Sequence, residues 1–444
     1  MKKKNVTYWA CDFETTVWGE VLEKQLRKKQ DCTEVWSAAD VALYDNSETV
    51  TITHSIRDFL NRFLTMGGNN ILYFHNLSFD GSFIVDFLLK ENWKWVHCKD
   101  KEMRSKTFQT CISDLGSWYW IKLKWNKNFI EIRNSLKLMP SSLNNIAKSF
   151  KTKHKKLEMI YTGMRYAYCN ITEEEKNYIE NDVLVLKEAL EMMFDAGHQK
   201  LTIGSCCLSE FKAGYDLKDY KRMFPDLRED YLDEDVTGVW NICYLNPKFA
   251  HIVVGEGLVY DVNSLYPSMM HSMSGNKYPF GHGEYHKGAP PIDLVKADNK
   301  YYFIRFTCRF RVKEHAFPWV HIRHSALYKS NENLYTSDVR YKGQYYRYYR
   351  DADGNMCDTK VTLTMTCTDW ELFNDTYEIY DLEIHDYVWF YARDGFFNAY
   401  IDKYAEMKKN SKGFSRQLAK LFLNNLYGKF AMSDNSSYKE PYLD

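Results

Sequence analysis

Several sequence features are missing from this 444-residue chain, and each absence argues against one class of protein. The eleven cysteines form no CxxC pair, which argues against a zinc or disulfide framework and fits a reducing compartment. The basic start "MKKK" precedes an apolar run that Asp12 interrupts, so the N-terminus lacks the pattern of a signal peptide. The sequence contains no run of about 18 apolar residues, so it predicts no membrane span. We therefore expect a protein that is not secreted.

Net charge is absent as well, although the charges are unevenly distributed. Lys+Arg and Asp+Glu number 59 each, so the overall balance predicts no partner. Residues 122–156, however, hold ten Lys/Arg against one acid, and residues 401–420 hold six against two. Such basic runs can follow phosphate groups, or they can be solvated surface. Both interpretations stay open for either run alone.

The chain length suggests two to four domains. Apolar alternation predicts a first strand over residues 6–14, and Thr172 with Glu175 predicts a capping box at the start of a long helix. Strands followed by helices indicate an α/β domain up to about residue 200. Residues 273–395 are rich in tyrosine and β-branched residues and predict mainly strands, and residues 396–430 predict helices.

Carboxylates recur at three places in the first part of the chain. Asp12 and Glu14 alternate along a strand and therefore share a face. Asp80 follows an apolar strand and opens a helix, while Tyr178 and Asp182 stand four apart on the capped helix. Taken singly, each has an ordinary structural interpretation. Asp12 and Glu14 can be a solvated pair, and Asp80 can be an acid stabilised by the helix dipole. Tyr178 and Asp182 can be an ordinary pair on a helix. Two acids on one strand face can equally hold a hard divalent cation.

The order of these motifs resembles that of the DnaQ-like, ribonuclease H-like 3′–5′ exonuclease domain of proofreading enzymes. The resemblance implies that Tyr178 orients the attacking water. It also places Thr15, Asn76 and Phe79 at the single-stranded 3′ end. Two Mg²⁺ or Mn²⁺ ions are implied, one activating a water and one stabilising the leaving oxygen, held by Asp12, Glu14, Asp80 and Asp182.

A second signature, "DVNSLYPS", follows an apolar strand and resembles motif A of family B DNA polymerases. The resemblance implies that Asp261 and the carbonyl of Val262 hold metal and triphosphate. It implies that Tyr266 packs beneath the incoming sugar.

A third signature, "KLFLNNLYGKF", resembles motif B in the fingers of the same family. Lys420, Asn424 and Tyr427 recur at helical spacing and share one face. The resemblance assigns them to the incoming nucleotide, with Lys420 neutralising triphosphate charge. The preceding stretch "YIDKYAEMKKNSKG" places Lys408 near the same triphosphate.

Within family B, the sequence most resembles the protein-primed subgroup of small tailed phages, adenoviruses and linear plasmids. "SLKLM" and "KLEM" resemble its motifs for single-stranded DNA and assign Ser135, Leu136 and Lys156 to the DNA. The resemblance implies a DNA template, dNTPs and a terminal protein as primer. It also implies replication of a linear viral or plasmid genome in the cytoplasm of a host cell.

The same resemblance predicts the domain bounds and one departure. The 444 residues contain no Y-x-D-T-D motif, which supplies the second metal-binding acid in this family. We therefore expect a complete exonuclease site and an incomplete polymerase site, with a separately encoded C-terminal segment as a possible partner. A stand-alone exonuclease and a non-catalytic remnant that binds DNA or terminal protein stay open. The predicted bounds are 1–202 for the exonuclease domain, 203–272 for the first part of the palm, 273–395 for an insertion that contacts terminal protein and DNA, 396–431 for the fingers, and 432–444 for the start of a second insertion.

Overall fold

The computed structural model describes residues 6–16, 33–100, 102–160, 164–225, 264–320, 334–342, 344–351, 353–430 and 438–442. The chain divides into two units, and each is described by itself. The first unit comprises Met1–Phe211 with Asp402–Asp444, and the second comprises Lys212–Ile401. Both contain helices and strands, which confirms the predicted α/β class.

The described residues of the first unit contain a mixed sheet of eight strands in the order β3-β2-β1-β4-β8-β7-β6-β5. β1 pairs in parallel with β4, and β4 pairs in parallel with β8, whereas β2 runs antiparallel to β1. The strands are β1 Val6–Thr15, β2 Val35–Ala42, β3 Thr51–Thr53, β4 Asn69–Phe74, β5 Lys94–Trp95, β6 Thr107–Ile112, β7 Trp118–Trp125 and β8 Asn128–Asn134.

The described ranges of both units contain α-helices, among them the long capped helix that the sequence predicts after Thr172. The capping box at Thr172 and Glu175 is confirmed: each residue's side chain bonds the other's backbone N–H. The helices are α1 Ile56–Met66, α2 Leu77–Lys90, α3 Leu143–Phe150, α4 Glu173–Asp195, α5 Ile203–Ala213, α6 Leu217–Met223, α7 Leu265–Met270, α8 Ile292–Val295, α9 Cys367–Thr376, α10 Asn398–Asn410 and α11 Gly413–Phe430.

One face of the first sheet packs against α1 and α2 around a core of aromatic rings. Cys11 and Phe13 of β1 point into this core and are buried. The ring of Phe13 makes edge contacts with Phe59 and Phe74, at centroid distances of 5.1 and 4.8 Å. Burying one such side chain contributes roughly 1.5–3 kcal/mol. This packing fixes which residues of β1 face away from the core.

The opposite face of β1 lies against α4. Tyr8 on this face makes an edge contact with Phe194 of α4, with ring centroids 5.2 Å apart. Because side chains alternate along a strand, Asp12 and Glu14 lie on the same face as Tyr8. The predicted common face of the two acids is therefore the face that α4 covers.

The second unit is mainly β, as predicted for residues 273–395. Its antiparallel sheet has the order β15-β10-β16-β9, and two short hairpins accompany it among the described residues. Phe306, Phe310, Phe373 and Tyr377 form the centre of its core, with α9 packed on the sheet. The strands are β9 Tyr278–Lys287, β10 Lys300–Val312, β11 Val339–Tyr341, β12 Gln344–Tyr346, β13 Tyr348–Arg350, β14 Met356–Asp358, β15 Val361–Thr366 and β16 Tyr377–Arg393.

The helical pattern predicted beyond residue 396 corresponds to α10 and α11. None of the described helices is both long enough and apolar enough to cross a membrane.

Candidate active site

Three elements of the first unit bring the predicted acids together. β1 and β4 run in parallel, and their last paired residues are Cys11 and Phe74. Asp12 therefore lies just beyond the paired segment, at the edge where both strands have their carboxyl ends. α2 begins three residues after β4 ends, and Asp80 lies in its first turn. Parallel pairing thus places Asp12 and Asp80 at one edge of the sheet.

α4 supplies the other predicted members of the site. Tyr178 and Asp182 stand four residues apart and share a face of this helix. Carboxylate oxygens of Asp12, Glu14 and Asp182 lie within 4.8 Å of one another. Residues 170 positions apart in sequence therefore meet in one cluster.

Lys156 also belongs to this cluster. Its ammonium donates a hydrogen bond to the hydroxyl of Tyr178 at 2.9 Å and another to Oδ2 of Asp182. Although burial opposes it, the charge of Asp182 raises the pKa of Lys156 above its ordinary value. The structure places Lys156 directly on two residues of the acidic cluster, and its predicted contact with DNA stays a prediction.

Burial and mutual repulsion raise the pKa values of the carboxyls in this cluster. Burial and, to a smaller extent, the charge of Glu14 raise the pKa of Asp80 from its ordinary value of 3.8 to about 7. The pKa of Asp12 is raised well above its ordinary value by burial and by the charges of Asp80, Glu14 and Asp182. Burial likewise raises the pKa of Asp182, which Lys156 opposes. The ammonium of Lys156 therefore opposes the rise in pKa at Asp182 and, more weakly, at Asp12.

These groups fit a divalent cation. Oδ1 of Asp80 and Oδ1 of Asp182 are buried, and each lacks a hydrogen-bond partner within the part of the chain that the structure describes. Buried oxygens without partners are costly, and hard divalent cations take carboxylate oxygens as ligands. Asp12, Glu14, Asp80 and Asp182 would hold such an ion, which would offset their mutual repulsion.

The residues that the sequence assigned to the 3′ end differ in their surroundings. Thr15 is half-buried at the end of β1, while Asn76 and Phe79 are exposed at the start of α2, Phe79 by 49%. Asn76 adopts a left-handed conformation, which asparagine tolerates. Leu136 is half-buried. Contacts of these four residues with DNA stay predictions.

Ser135 occupies a different environment from the other predicted DNA contacts. Its side chain is fully buried, and its hydroxyl donates to the carbonyl of Phe74 at 2.9 Å. It also lies 3.0 Å from Nδ1 of His75, whose Nε2 is 2.8 Å from the carbonyl of Ser141. Ser135 thus supports the turn after β4, and its predicted contact with DNA is untested.

The basic runs identified in the sequence meet in the first unit. A cavity of about 340 Å³ is lined by Lys148 and Lys151 from the first run and by Lys408, Arg416 and Lys420 from the second. No carboxylate is among its described lining residues. The sequence analysis identified Lys408 and Lys420 individually, and it identified Lys148, Lys151 and Arg416 only as members of the two basic runs.

A second cavity, of about 930 Å³, connects two other predictions. Asn424 and Tyr427 of α11 line it together with Leu136. The structure therefore groups these motif B residues with a predicted DNA contact, and it places Lys408 and Lys420 around the other cavity.

The remaining predicted residues belong to motif A. Tyr266 lies in α7 of the second unit and is 53% exposed. Asp261 and Val262 lie outside the described residues.

Comparison with known proteins places the chain in a family. The family described as DNA polymerase type B, organellar and viral, matches residues 62–170 and 164–444. The DNA polymerase of Bacillus phage phi29 is 34% identical over 450 residues, which cover 100% of this chain and 71% of the phage enzyme. The chain belongs to the protein-primed family B DNA polymerases. The DNA polymerase of Streptococcus phage Cp-1 is 28% identical, and the match covers 98% of this chain and 72% of the phage enzyme.

Solved structures agree with this family assignment. The orthorhombic crystal form of phi29 DNA polymerase matches with a TM-score of 0.79 and 32% identity, over 99% of this chain and 71% of that one. The phi29 polymerase complexed with primer-template DNA matches equally well, over 99% and 70% of the two chains. Family B polymerases depend on metal ions, which agrees with the donor set of the acidic cluster.

Proposed function

We propose that this family B polymerase has a 3′–5′ proofreading exonuclease, on a DnaQ-like domain, alongside its DNA-synthesising site. The observation that carries the proposal is the acidic cluster, in which Asp12, Glu14 and Asp182 offer oxygens within 4.8 Å of one another. Asp80 adds a buried oxygen that lacks a partner in the described structure. Four carboxyls with one lysine as counterion repel one another and are costly to bury, and a bound divalent cation would offset that cost.

Each residue of the cluster has a distinct task in this proposal. A bound Mg²⁺ or Mn²⁺ would neutralise the carboxylates and polarise the phosphate to be cleaved. Tyr178, whose pKa burial raises, stays protonated and uses its hydroxyl to orient the attacking water. Lys156 keeps Asp182 ionised and supplies positive charge beside the phosphate. Thr15, Asn76 and Phe79 hold the single-stranded 3′ end, Phe79 by stacking.

The polymerase half of the proposal rests on the family. We assign Asp261 and Val262 to metal and triphosphate, Tyr266 to the sugar, and Lys408, Lys420, Asn424 and Tyr427 to the incoming nucleotide. The structures of phi29 polymerase with primer-template DNA, with single-stranded DNA and with incoming nucleotides support these substrate classes. The same proposal includes a terminal protein as primer and the predicted domain bounds.

The exonuclease is tested by measuring release of 3′ nucleotides from a labelled single-stranded oligonucleotide in Mg²⁺ or Mn²⁺. The double variant Asp12→Ala/Glu14→Ala should lose activity by several orders of magnitude, on the order of 10³-fold or more, because the cation loses its ligands. The control is Glu173→Ala/Glu174→Ala, which removes two exposed acids from α4. Unchanged release by the first variant would contradict the proposal and favour a remnant that only binds DNA.

A further inference from the structure

The position of Lys156 depends on a segment that has no helix or strand of its own. This segment, residues 151–156, follows α3 and ends at the ammonium that contacts Tyr178 and Asp182. A lysine side chain has four rotatable bonds, so a fixed ammonium requires a fixed backbone. The contacts of this segment therefore determine where the positive charge lies.

Glu188 of α4 binds the backbone of the segment. Its Oε2 accepts the N–H of Lys153 at 2.5 Å, and its Oε1 accepts the N–H of His154 at 3.3 Å. Nδ1 of His154 lies 2.5 Å from the same Oε1. Within the segment, the Thr152 hydroxyl donates to the carbonyl of His154 at 2.7 Å. One carboxylate thus holds two consecutive peptide groups and one imidazole.

α4 carries both Glu188, which binds the backbone of the segment, and Asp182, which binds the ammonium of Lys156. Glu188 follows Asp182 by six residues, which corresponds to about 9 Å along the axis of α4. His154 precedes Lys156 by two residues, a span of at most about 7 Å. The backbone that bears Lys156 is therefore fixed to the helix that bears the contacts of its ammonium. A shift at Glu188 would be transmitted to the ammonium over two residues.

A second carboxylate completes the contacts of the segment. Glu48, in the turn between β2 and β3, pairs with the ammonium of Lys153 at 2.9 Å. Glu48, His154 and Glu188 offer ligand atoms within 4.8 Å of one another, which is also a donor set for a metal ion. Here, however, the carboxylates already accept hydrogen bonds from the segment itself. The contacts favour a clamp over a metal site.

We propose that Glu188 and His154 are positioning residues that hold Lys156 on Asp182 and Tyr178 in the exonuclease site. The inference rests on the proposed exonuclease. Neither residue is required to touch DNA or metal. Glu188 contributes by fixing the backbone, and His154 adds one bond to the same carboxylate.

The test is a double-mutant cycle on 3′ nucleotide release by the full chain. Glu188→Gln keeps the side-chain shape but places an amide NH₂ against a backbone donor. It should lower kcat about tenfold with little change in KM for the oligonucleotide, since a displacement of about 1 Å can cost up to 10²-fold. His154→Ala should give a smaller loss. In the Lys156→Ala background, Glu188→Gln should change the rate by less than about twofold, because its route of action is gone.

The matched control is Glu191→Gln on the same helix. Glu191 accepts the backbone N–H of Tyr44 at 2.5 Å, so it clamps the turn between β2 and β3, which carries Glu48 but none of the four acids, Tyr178 or Lys156. It should lower the melting temperature comparably to Glu188→Gln while leaving the release rate unchanged.

Two results would overturn the inference. One is a wild-type rate for Glu188→Gln, and the other is a further tenfold loss when Glu188→Gln is added to Lys156→Ala. If Asp12→Ala/Glu14→Ala also leaves release unchanged, the exonuclease assignment itself fails. If that variant is inactive and the cycle is additive, only the positioning role fails.

Discussion

Burial of Asp80 has a measurable consequence for stability in the absence of metal. The pKa of this carboxyl is raised from 3.8 to about 7 in the folded chain, chiefly by burial. A raised acid pKa means that the folded state holds the proton more tightly than the unfolded state. The favourable contribution is therefore complete below pH 3.8 and is lost as the pH rises through 7. Between pH 5 and about pH 7, the free energy of unfolding falls by about 1.4 kcal/mol per pH unit. The loss between pH 5 and pH 8 is therefore about 3 kcal/mol.

This loss should appear as a lower melting temperature at alkaline pH. For a unit of this size, about 3 kcal/mol corresponds to roughly 6–12 °C. We expect the protein in EDTA to melt lower at pH 8 than at pH 5 by an amount of this order. Asp80→Asn should reduce that difference, because asparagine does not ionise, and the raised pKa values of Asp12 and Asp182 account for the part that stays. Added Mg²⁺ should raise the melting temperature of the wild type at pH 8 by neutralising the cluster.

The control is Asp86→Asn on the same helix. Asp86 is 48% exposed and pairs with Lys90 at 2.9 Å, so its substitution should leave the pH dependence as in the wild type. The reasoning would be refuted if wild type and Asp80→Asn lost the same stability between pH 5 and pH 8 without metal. Asp80 would then be as well solvated in the folded chain as in the unfolded one.

Two further predictions concern packing and buried charge. A Cβ at Gly81 would lie 2.7 Å from a ring carbon of Trp118, so Gly81→Val should lower the free energy of unfolding by roughly 1–3 kcal/mol in urea denaturation. An unchanged denaturation midpoint would show that the ring moves freely. Arg62 binds the fully buried Asp40 through two hydrogen bonds, and Arg62→Met should cost roughly 3–5 kcal/mol, whereas Arg57→Met, at an exposed ion pair, should cost under about 1 kcal/mol. Equal losses for the two arginine variants would contradict this.

Local patterns in the sequence were the reliable ones. The alternation that put Asp12 on one face of β1 and the capping box at Thr172 depend on residues a few positions apart, and the structure has both. The contact of Lys156 with Asp182 joins an irregular segment to a helix and has no periodic signal. Glu188 and Asp182 lie about 120° apart around the axis of α4, so helical spacing could not link them.

Other outcomes depended on tertiary contacts that composition does not encode. A motif resemblance assigned Ser135 to DNA, and nothing in the sequence indicated that its hydroxyl would satisfy a carbonyl in the interior. The convergence of the two basic runs on one cavity arises from α3 meeting α10 and α11. The sequence identified both runs, but nothing in either run indicates the other as its neighbour.

The ammonium of Lys156 gives the acidic cluster a resident counterion. Repulsion among four close carboxylates would oppose folding if a bound metal ion were the only group that compensated their charge. With Lys156 on Asp182, part of that balance is carried by the polypeptide itself and is present from the moment the chain folds. Under the proposed function, folding and metal binding would then be separate events, because the chain would not need the cation in order to fold.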